Sequence, residues 1–75
     1  MTERQIKLML EIYKGFKEKN KREFVFDARI EGIYKDLRTF QSHGVLSIRG
    51  MRSVIIVKFL IDGIEVAERY RSLYE

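Results

Sequence analysis

Apolar residues recur every three or four positions from the start of the chain, and this spacing predicts an amphipathic helix. Thr2 and Gln5 stand three residues apart, as in the capping box that begins many helices. The helix ends at Gly15 or at Asn20, because either residue can stop it. Its apolar face is wide enough to pack both on the domain core and on a second copy of the chain. The members of that face are Ile6, Leu8, Met9, Leu10, Ile12, Tyr13 and Phe16.

The middle of the chain predicts a short strand followed by a second amphipathic helix. Phe24–Phe26 is a short β-type run, and Asp27 directly after it can cap a helix. Gly44 is typical of the residue that follows the last turn of a helix. The apolar face of this helix is formed by residues spaced by three, four and three positions, namely Ile30, Ile33, Leu37 and Phe40.

A β-hairpin is predicted next. Val45–Arg49 and Val54–Leu60 have the composition of strands, and Gly50–Ser53 forms the turn between them. The second strand is apolar on both faces, whereas a hairpin with one solvated face would alternate apolar and polar residues. We therefore expect both faces to be covered, one of them by a terminal helix or by a partner chain.

The last segment predicts a third helix. Asp62 caps its start, and Glu65 occupies the third helical position. Together the elements predict a single α+β domain over residues 1–75, with three helices and a two- to three-stranded sheet. We expect the C-terminal helix either to pack back on its own domain or to form the contact between two copies of the chain in a dimer. The apolar side of this helix consists of Val66, Ala67, Tyr70, Leu73 and Tyr74.

Composition narrows the functional classes. The 75 residues include no cysteine and one histidine, which excludes disulfides, zinc-thiolate sites and metal sites built from several histidines. His43 also lacks the partners of a Ser-His-Asp or Cys-His arrangement, and no phosphate-binding glycine loop occurs. We expect no enzymatic activity, no cofactor, no metal and no small-molecule ligand.

The charge balance is the first functional indication. Fifteen Lys and Arg against eleven Asp and Glu give a net charge of +4, and the isoelectric point is near 9.6. A basic small domain is typical of nucleic-acid binding, although an ordinary solvated surface can have the same balance. Lysines and arginines also cluster at positions 14–22, where they either complement the end of a helix or contact phosphates.

Location and source are predicted from the same composition. The longest apolar run, Val54–Val57, is far too short to cross a membrane, and the mixed charge of residues 1–5 is unlike a signal peptide. We expect a cytoplasmic protein without a membrane partner. One asparagine and two glutamines among many charged residues are typical of hyperthermophile proteins, which suggests a thermophilic archaeon or one of its viruses or plasmids.

Two segments resemble the winged-helix variant of the helix-turn-helix family, as found in small transcription regulators. Residues 37–46 have two core positions three apart, then a glycine and a strand. Residues 59–67 are similar to the end of small winged-helix repressors, where a strand leads through a glycine-containing turn into the last helix. The family's second helix should lie between residues 16 and 30, where the pattern is charged and then strand-like. That helix is therefore either short or partly replaced by a strand.

The resemblance implies a DNA-reading surface. The helix that ends at His43 would enter the major groove, and the turn of the hairpin would contact phosphates or the minor groove. Glu31 and Asp36 on the same helix would repel phosphate, which favours either a tilted docking of the helix or a different binding surface. The implied DNA contacts are Tyr34, Lys35, Arg38, Thr39 and Gln41 on the helix, with Arg49 and Arg52 at the hairpin turn.

These observations favour a double-stranded DNA-binding protein that regulates transcription as a homodimer. The alternative is a small protein-interaction module that uses Val54–Leu60 as its partner surface. RNA binding ranks below both, because the sequence shows no aromatic stacking platform. The predicted dimer interface uses the terminal helices, through Ile6, Leu10, Tyr13, Tyr70, Leu73 and Tyr74.

Overall fold

A three-stranded antiparallel sheet carries three helices on one of its faces. The computed structural model describes residues 1–50 and 52–74, so Met51 of the predicted turn and Glu75 lie outside the described residues. The elements confirm the predicted α+β class. In chain order they are α1 (Glu3–Lys19), β1 (Glu23–Asp27), α2 (Ile33–Ser42), β2 (Leu46–Gly50), β3 (Val54–Phe59) and α3 (Asp62–Tyr74).

The strand β3 is the centre of the sheet, and the strand order is β1-β3-β2. Phe24 of β1 and Ile48 of β2 both lie opposite Val57, so these three side chains share one face of the sheet. We call this the inner face. Its β3 residues Ile55, Val57 and Phe59 are buried in a single hydrophobic cluster that also includes residues of all three helices.

The core lies between the inner face and the helices. Met9 of α1, Leu37 and Phe40 of α2, and Ala67 of α3 have no solvent exposure. The ring of Phe59 stacks on Phe16 with 4.7 Å between ring centroids. Because each helix contributes its apolar face to this one layer, the polar faces of the helices point to solvent.

The start and end of α1 follow the sequence closely. The hydroxyl of Thr2 accepts from the Gln5 N–H at 3.2 Å, and the Gln5 side chain accepts from the Thr2 N–H at 2.9 Å, which confirms the capping box. Gly15 does not stop the helix. Asn20 does so in the left-handed conformation, with a φ of 53°. A Cβ at Gly15 would lie 3.0 Å from the ring of Phe24, so glycine allows β1 to approach α1.

The predicted start of α2 was wrong. The Asp27 carboxylate does not cap a helix but accepts a 2.9 Å hydrogen bond from the Arg29 N–H, which closes a local turn. The helix begins six residues later, after Gly32 in the left-handed conformation (φ 77°). Ile30 therefore precedes the helix and is 52% exposed instead of contributing to its apolar face.

Of the two alternatives for residues 16–30, the structure contains the strand. Residues 20–32 form β1 and two turns, and no helix lies there. The described elements thus lack the second helix that a helix-turn-helix pair requires before α2. The hairpin and the helix after it are present as predicted, and Gly44 follows α2 with a φ of 77°.

Within the chain itself, the helices cover one face of β3 and leave the other uncovered, so cover for that second face by a partner chain stays a prediction. Val54, Ile56 and Lys58 point away from the helices, and no described element packs on them. Val25, which lies opposite Ile56, is 63% exposed. We call this the open face. It is uncovered because all three helices are needed to bury the inner face of the same small sheet.

The structure contains no helix with the length and apolar character needed to cross a bilayer, as judged over residues 1–50 and 52–74.

Gly63 generates a stability prediction. A Cβ at this position would lie 2.5 Å from the carbonyl oxygen of Val45, a backbone atom that cannot yield as a side chain would. We expect Gly63→Ala to destabilise the fold by about 2 kcal/mol, since overpacking displaces the backbone. Urea denaturation followed by circular dichroism measures the change. Gly50→Ala is the matched control, because a Cβ there meets nothing within 4 Å. Equal stability of the two variants would contradict the prediction.

Candidate nucleic-acid interface

A shallow groove runs between α2 and the segment that precedes it, and we call it the basic groove. It has three cationic side chains and one carboxylate on its walls. The lining residues are Ala28, Arg29, Ile30, Glu31, Gly32, Tyr34, Lys35, Arg38, Thr39 and Ser42.

The helix α2 positions its polar side chains because its apolar side is fixed in the core. Leu37 and Phe40 have no solvent exposure, which forces Lys35 and Arg38 to the outside. The guanidinium of Arg38 lies 5.9 Å from the centre of the Tyr34 ring, within the range of a cation–π contact. Both side chains belong to the groove lining.

The hydroxyl of Thr39 is engaged within the helix. Its Oγ1 donates to the Lys35 carbonyl at 3.1 Å. The oxygen retains lone pairs but has used its proton, so Thr39 in this rotamer accepts a hydrogen bond and does not donate one. A hydrogen bond from Thr39 to phosphate therefore requires the hydroxyl proton to turn away from the Lys35 carbonyl.

The three cationic side chains of the groove differ in whether an ion pair already occupies them. Arg29 holds Asp27 through two hydrogen bonds of 3.1 and 2.9 Å, and this contact lowers the pKa of Asp27 and raises that of Arg29. By contrast, the ion pairs within residues 1–50 and 52–74 involve neither Lys35 nor Arg38. Lys35 and Arg38 are thus the cations of the groove that an anionic partner can reach without competition.

The structure places Asp36 away from the basic groove, so its carboxylate is not part of the groove wall. Asp36 is 4% exposed, and its carboxylate accepts from Arg4 Nη2 at 2.9 and 3.1 Å and from Gln5 Nε2 at 3.0 Å. The carboxylate faces α1 and is neutralised there, away from the groove. Glu31 does line the groove and is exposed.

The hairpin turn lies next to the basic groove. The Ser53 carbonyl accepts a 3.0 Å hydrogen bond from the N–H of Ala28, a residue of the groove wall. Arg52, adjacent to Ser53, is exposed at that edge. Arg49 is different, because it lies opposite Ile56 and so projects from the open face.

The predicted DNA contacts thus divide into groups. Four residues line the basic groove, and Arg52 borders it. Gln41 is exposed on α2 but lies outside the groove lining, and Arg49 lies on the opposite face of the sheet. Arg29 was missed by the sequence reasoning, since it precedes the helix that carries the other residues. The four groove residues are Tyr34, Lys35, Arg38 and Thr39.

Two residues of the predicted dimer interface are core residues of the chain itself. Ile6 is 4% and Tyr13 is 5% exposed, so neither presents a face to a second copy. Their burial follows from the packing of α1 on β3 and α3. Leu10 and Tyr70 are half-buried, whereas Leu73 and Tyr74 are exposed at the end of α3.

A second polar cluster joins α1 to α3. The Tyr13 hydroxyl donates to the Glu68 carboxylate, which Lys17 and Arg71 also approach at 3.7 and 3.3 Å. The hydrogen bond from Tyr13 is the main cause that lowers the pKa of Glu68, and Arg71 and Lys17 add to it. Burial, followed by the hydrogen bond to Glu68, raises the pKa of Tyr13. This cluster is a structural contact between helices.

No group of three or more His, Cys, Asp or Glu residues is arranged to hold a metal in the described part of the chain.

No protein-family model matches the chain, and neither the curated proteins nor the solved structures contain a significant match.

The buried carboxylate of α2 generates a second prediction. Arg4→Ala removes the ion pair and leaves the Gln5 amide as a donor to Asp36. Because the Arg4 side chain is 70% exposed and screened by water, we expect a loss of about 1 kcal/mol in the free energy of unfolding at pH 7. Adding Asp36→Asn should recover part of that loss, because it removes the unpaired charge. Urea titrations of the single and double variants give the coupling free energy. Additive effects of the two substitutions would show that the pair does not interact.

The cluster at Glu68 predicts how stability depends on pH. The pKa of Glu68 is below its ordinary value of 4.5, so its contribution is present above pH 4.5 and is lost as pH falls through the lowered pKa. The pKa of Tyr13 is above its ordinary value of 10.0, so its contribution is present below pH 10 and is lost as pH rises further.

We expect Tyr13→Phe to reduce the pH dependence of stability in both the acid and the alkaline range, since the phenylalanine cannot donate to Glu68. Thermal unfolding of the wild type and the variant between about pH 3 and 7 measures the acid limb. If the unfolding temperatures of the two proteins changed with pH in parallel over that range, the Tyr13 hydroxyl would have no part in the pH dependence.

Proposed function

We propose that the protein binds double-stranded DNA through the basic groove and the adjoining hairpin turn, as a homodimeric transcription regulator. The observation that supports the proposal best is the combination of exposed Lys35 and Arg38 with a concealed Asp36. The helix that would meet DNA thereby presents positive charge, although its sequence contains a carboxylate. Arg52 extends the same positive surface across the turn.

The proposed contacts divide by chemistry. Lys35 and Arg52 neutralise backbone phosphates, which supplies affinity that falls with salt. Arg38 carries a planar set of donors that suits a guanine edge in the major groove, and its contact with Tyr34 limits the entropy lost on binding. Tyr34 is 49% exposed, and its hydroxyl is a further donor to phosphate in this proposal. Arg49 is left out, because it projects from the open face.

A second candidate function is supported by the open face. Val25 is 63% exposed, and Val54 and Ile56 are half-buried, so an apolar strip remains beside charged residues. Such a strip is typical of a protein-interaction surface. In this alternative the chain is a small docking module, and the basic groove is an ordinary solvated surface.

A titration with duplex DNA separates the candidates. We expect anisotropy of a labelled duplex to show binding that weakens steeply between about 50 and 200 mM salt. Arg38→Ala with Arg52→Ala should reduce affinity at least about tenfold and lower the salt slope by about one, because only Arg52 of the two contacts phosphate in the proposal. Lys14→Ala with Arg69→Ala removes the same charge from α1 and α3 and is the matched control.

Two outcomes would contradict the proposal. Equal losses for the two double variants would mean that DNA responds to net charge and not to the groove. No binding at the lower salt concentration, with circular dichroism confirming the fold, would leave the docking module as the better candidate.

A further inference from the structure

We propose that two copies of the chain associate through their open faces, with the two-fold axis of the dimer parallel to the strands. The strand register defines the surface. Three rows of side chains run across the open face from β1 through β3 to β2. The rows are Glu23, Lys58 and Ser47, then Val25, Ile56 and Arg49, then Asp27 and Val54.

The centre of this surface is apolar. Ile56 lies in the middle of the middle row, with Val25 beside it and Val54 in the next row. These side chains are β-branched and stiff, so little conformational entropy is lost when they are buried. The apolar centre supplies the association energy, and an uncovered sheet face is a surface on which a second sheet can pack.

The edges of the surface have opposite charges, and this identifies the partner as a second copy. The β1 edge carries Glu23 and Asp27 on either side of Val25, whereas the β2 edge carries Arg49. A surface with one acidic and one basic edge is complementary to itself when a two-fold rotation exchanges the edges.

The charges also select the direction of the axis. An axis across the strands would place β1 on the second copy's β1 and bring four carboxylates together. An axis along the strands places β1 on the second copy's β2, so that Arg49 lies between Glu23 and Asp27 of the other copy. Only the second arrangement pairs opposite charges.

The remaining charges are compatible with this arrangement. Lys58 lies near the axis and faces its counterpart, but Glu23 stands beside it in register on the same sheet. Asp27 already holds Arg29, so Glu23 is the main acceptor for Arg49 of the second copy.

The interface is small, and a small interface implies weak association. Strands about 4.8 Å apart and five residues of about 3.4 Å give a face of roughly 14 by 17 Å. A typical stable interface buries about 800 Å² on each partner. We therefore expect a weak dimer that forms at high protein concentration or when a ligand holds both copies.

The dimer gives the proposed function its geometry, and this step rests on that proposal. A rotation about an axis along the strands leaves both hairpin turns at the same end of the dimer. Stacked sheets lie about 10 Å apart, and each helix layer adds about 10 Å. The two α2 helices are then about 30 Å apart, close to the 34–36 Å between successive major grooves on one side of DNA.

Sedimentation velocity without DNA, at protein concentrations up to about 1 mM, tests the dimer itself, because a face this small implies weak association. We expect a concentration-dependent dimer in the wild type and a monomer for Ile56→Glu. Leu73→Ser with Tyr74→Ser is the control for the terminal helices and should leave the dimer intact.

Charge variants test the dimer interface with substitutions at exposed positions, so a second substitution that restores association shows that the first did not act by unfolding the chain. Arg49→Glu should weaken association about tenfold, and adding Glu23→Lys should restore it by exchanging the two edges. A monomeric wild type at the highest concentration would overturn the proposal, as would a dimer that Leu73→Ser with Tyr74→Ser abolishes. Failure of the double charge variant to recover would overturn the predicted axis. Because no DNA is present, these outcomes are separate from the DNA titration.

Discussion

Val57 has no solvent exposure and lies in the central strand, with a neighbour strand on either side and helices above it. A chain of 75 residues cannot build two cores, since it buries only about 60% of the surface that it exposes when unfolded. All three helices therefore bury the inner face of one sheet. This arrangement has two consequences. The polar side of α2 faces outward, and the other side of β3 is left exposed.

Polar contacts between helices supplement that small core. Arg4 and Gln5 of α1 hold Asp36 of α2, and Tyr13 of α1 holds Glu68 of α3. The two contacts fix α1 against each of the other helices at separate points along its length. In a protein with a thin apolar layer, such contacts determine how accurately the helices are placed, and so how accurately the groove side chains are presented.

Much of the fold was predictable from local signals. The capping box at Thr2, the strand around Val25 and the end of α2 before Gly44 each depend on residues that are close in sequence. One failure also had a local cause that competes with a helix. The Asp27 side chain closes a turn with Arg29, and this delays α2 until after Gly32.

The features missed by the sequence reasoning depend on distant residues. The charge of Asp36 is cancelled by Arg4, which is 32 residues away, and helical periodicity contains no information about such a pair. The wide apolar face of α1 suggested a dimer surface, but Ile6 and Tyr13 fill the core of their own chain. Which side of β3 remains uncovered was equally hidden, because both sides of that strand have apolar residues.

The central position of β3 also affects local opening of the native state. Its backbone is hydrogen-bonded to β1 on one side and to β2 on the other, whereas each outer strand is paired along one edge only. Either outer strand can separate while β3 remains held by the other. The amide protons in the hydrogen bonds between β1 and β3 should therefore exchange with solvent through an opening smaller than global unfolding, while those between β2 and β3 stay protected in that opening. The segment between β1 and α2 would loosen in that opening, so the shape of the basic groove depends on the stability of an edge strand.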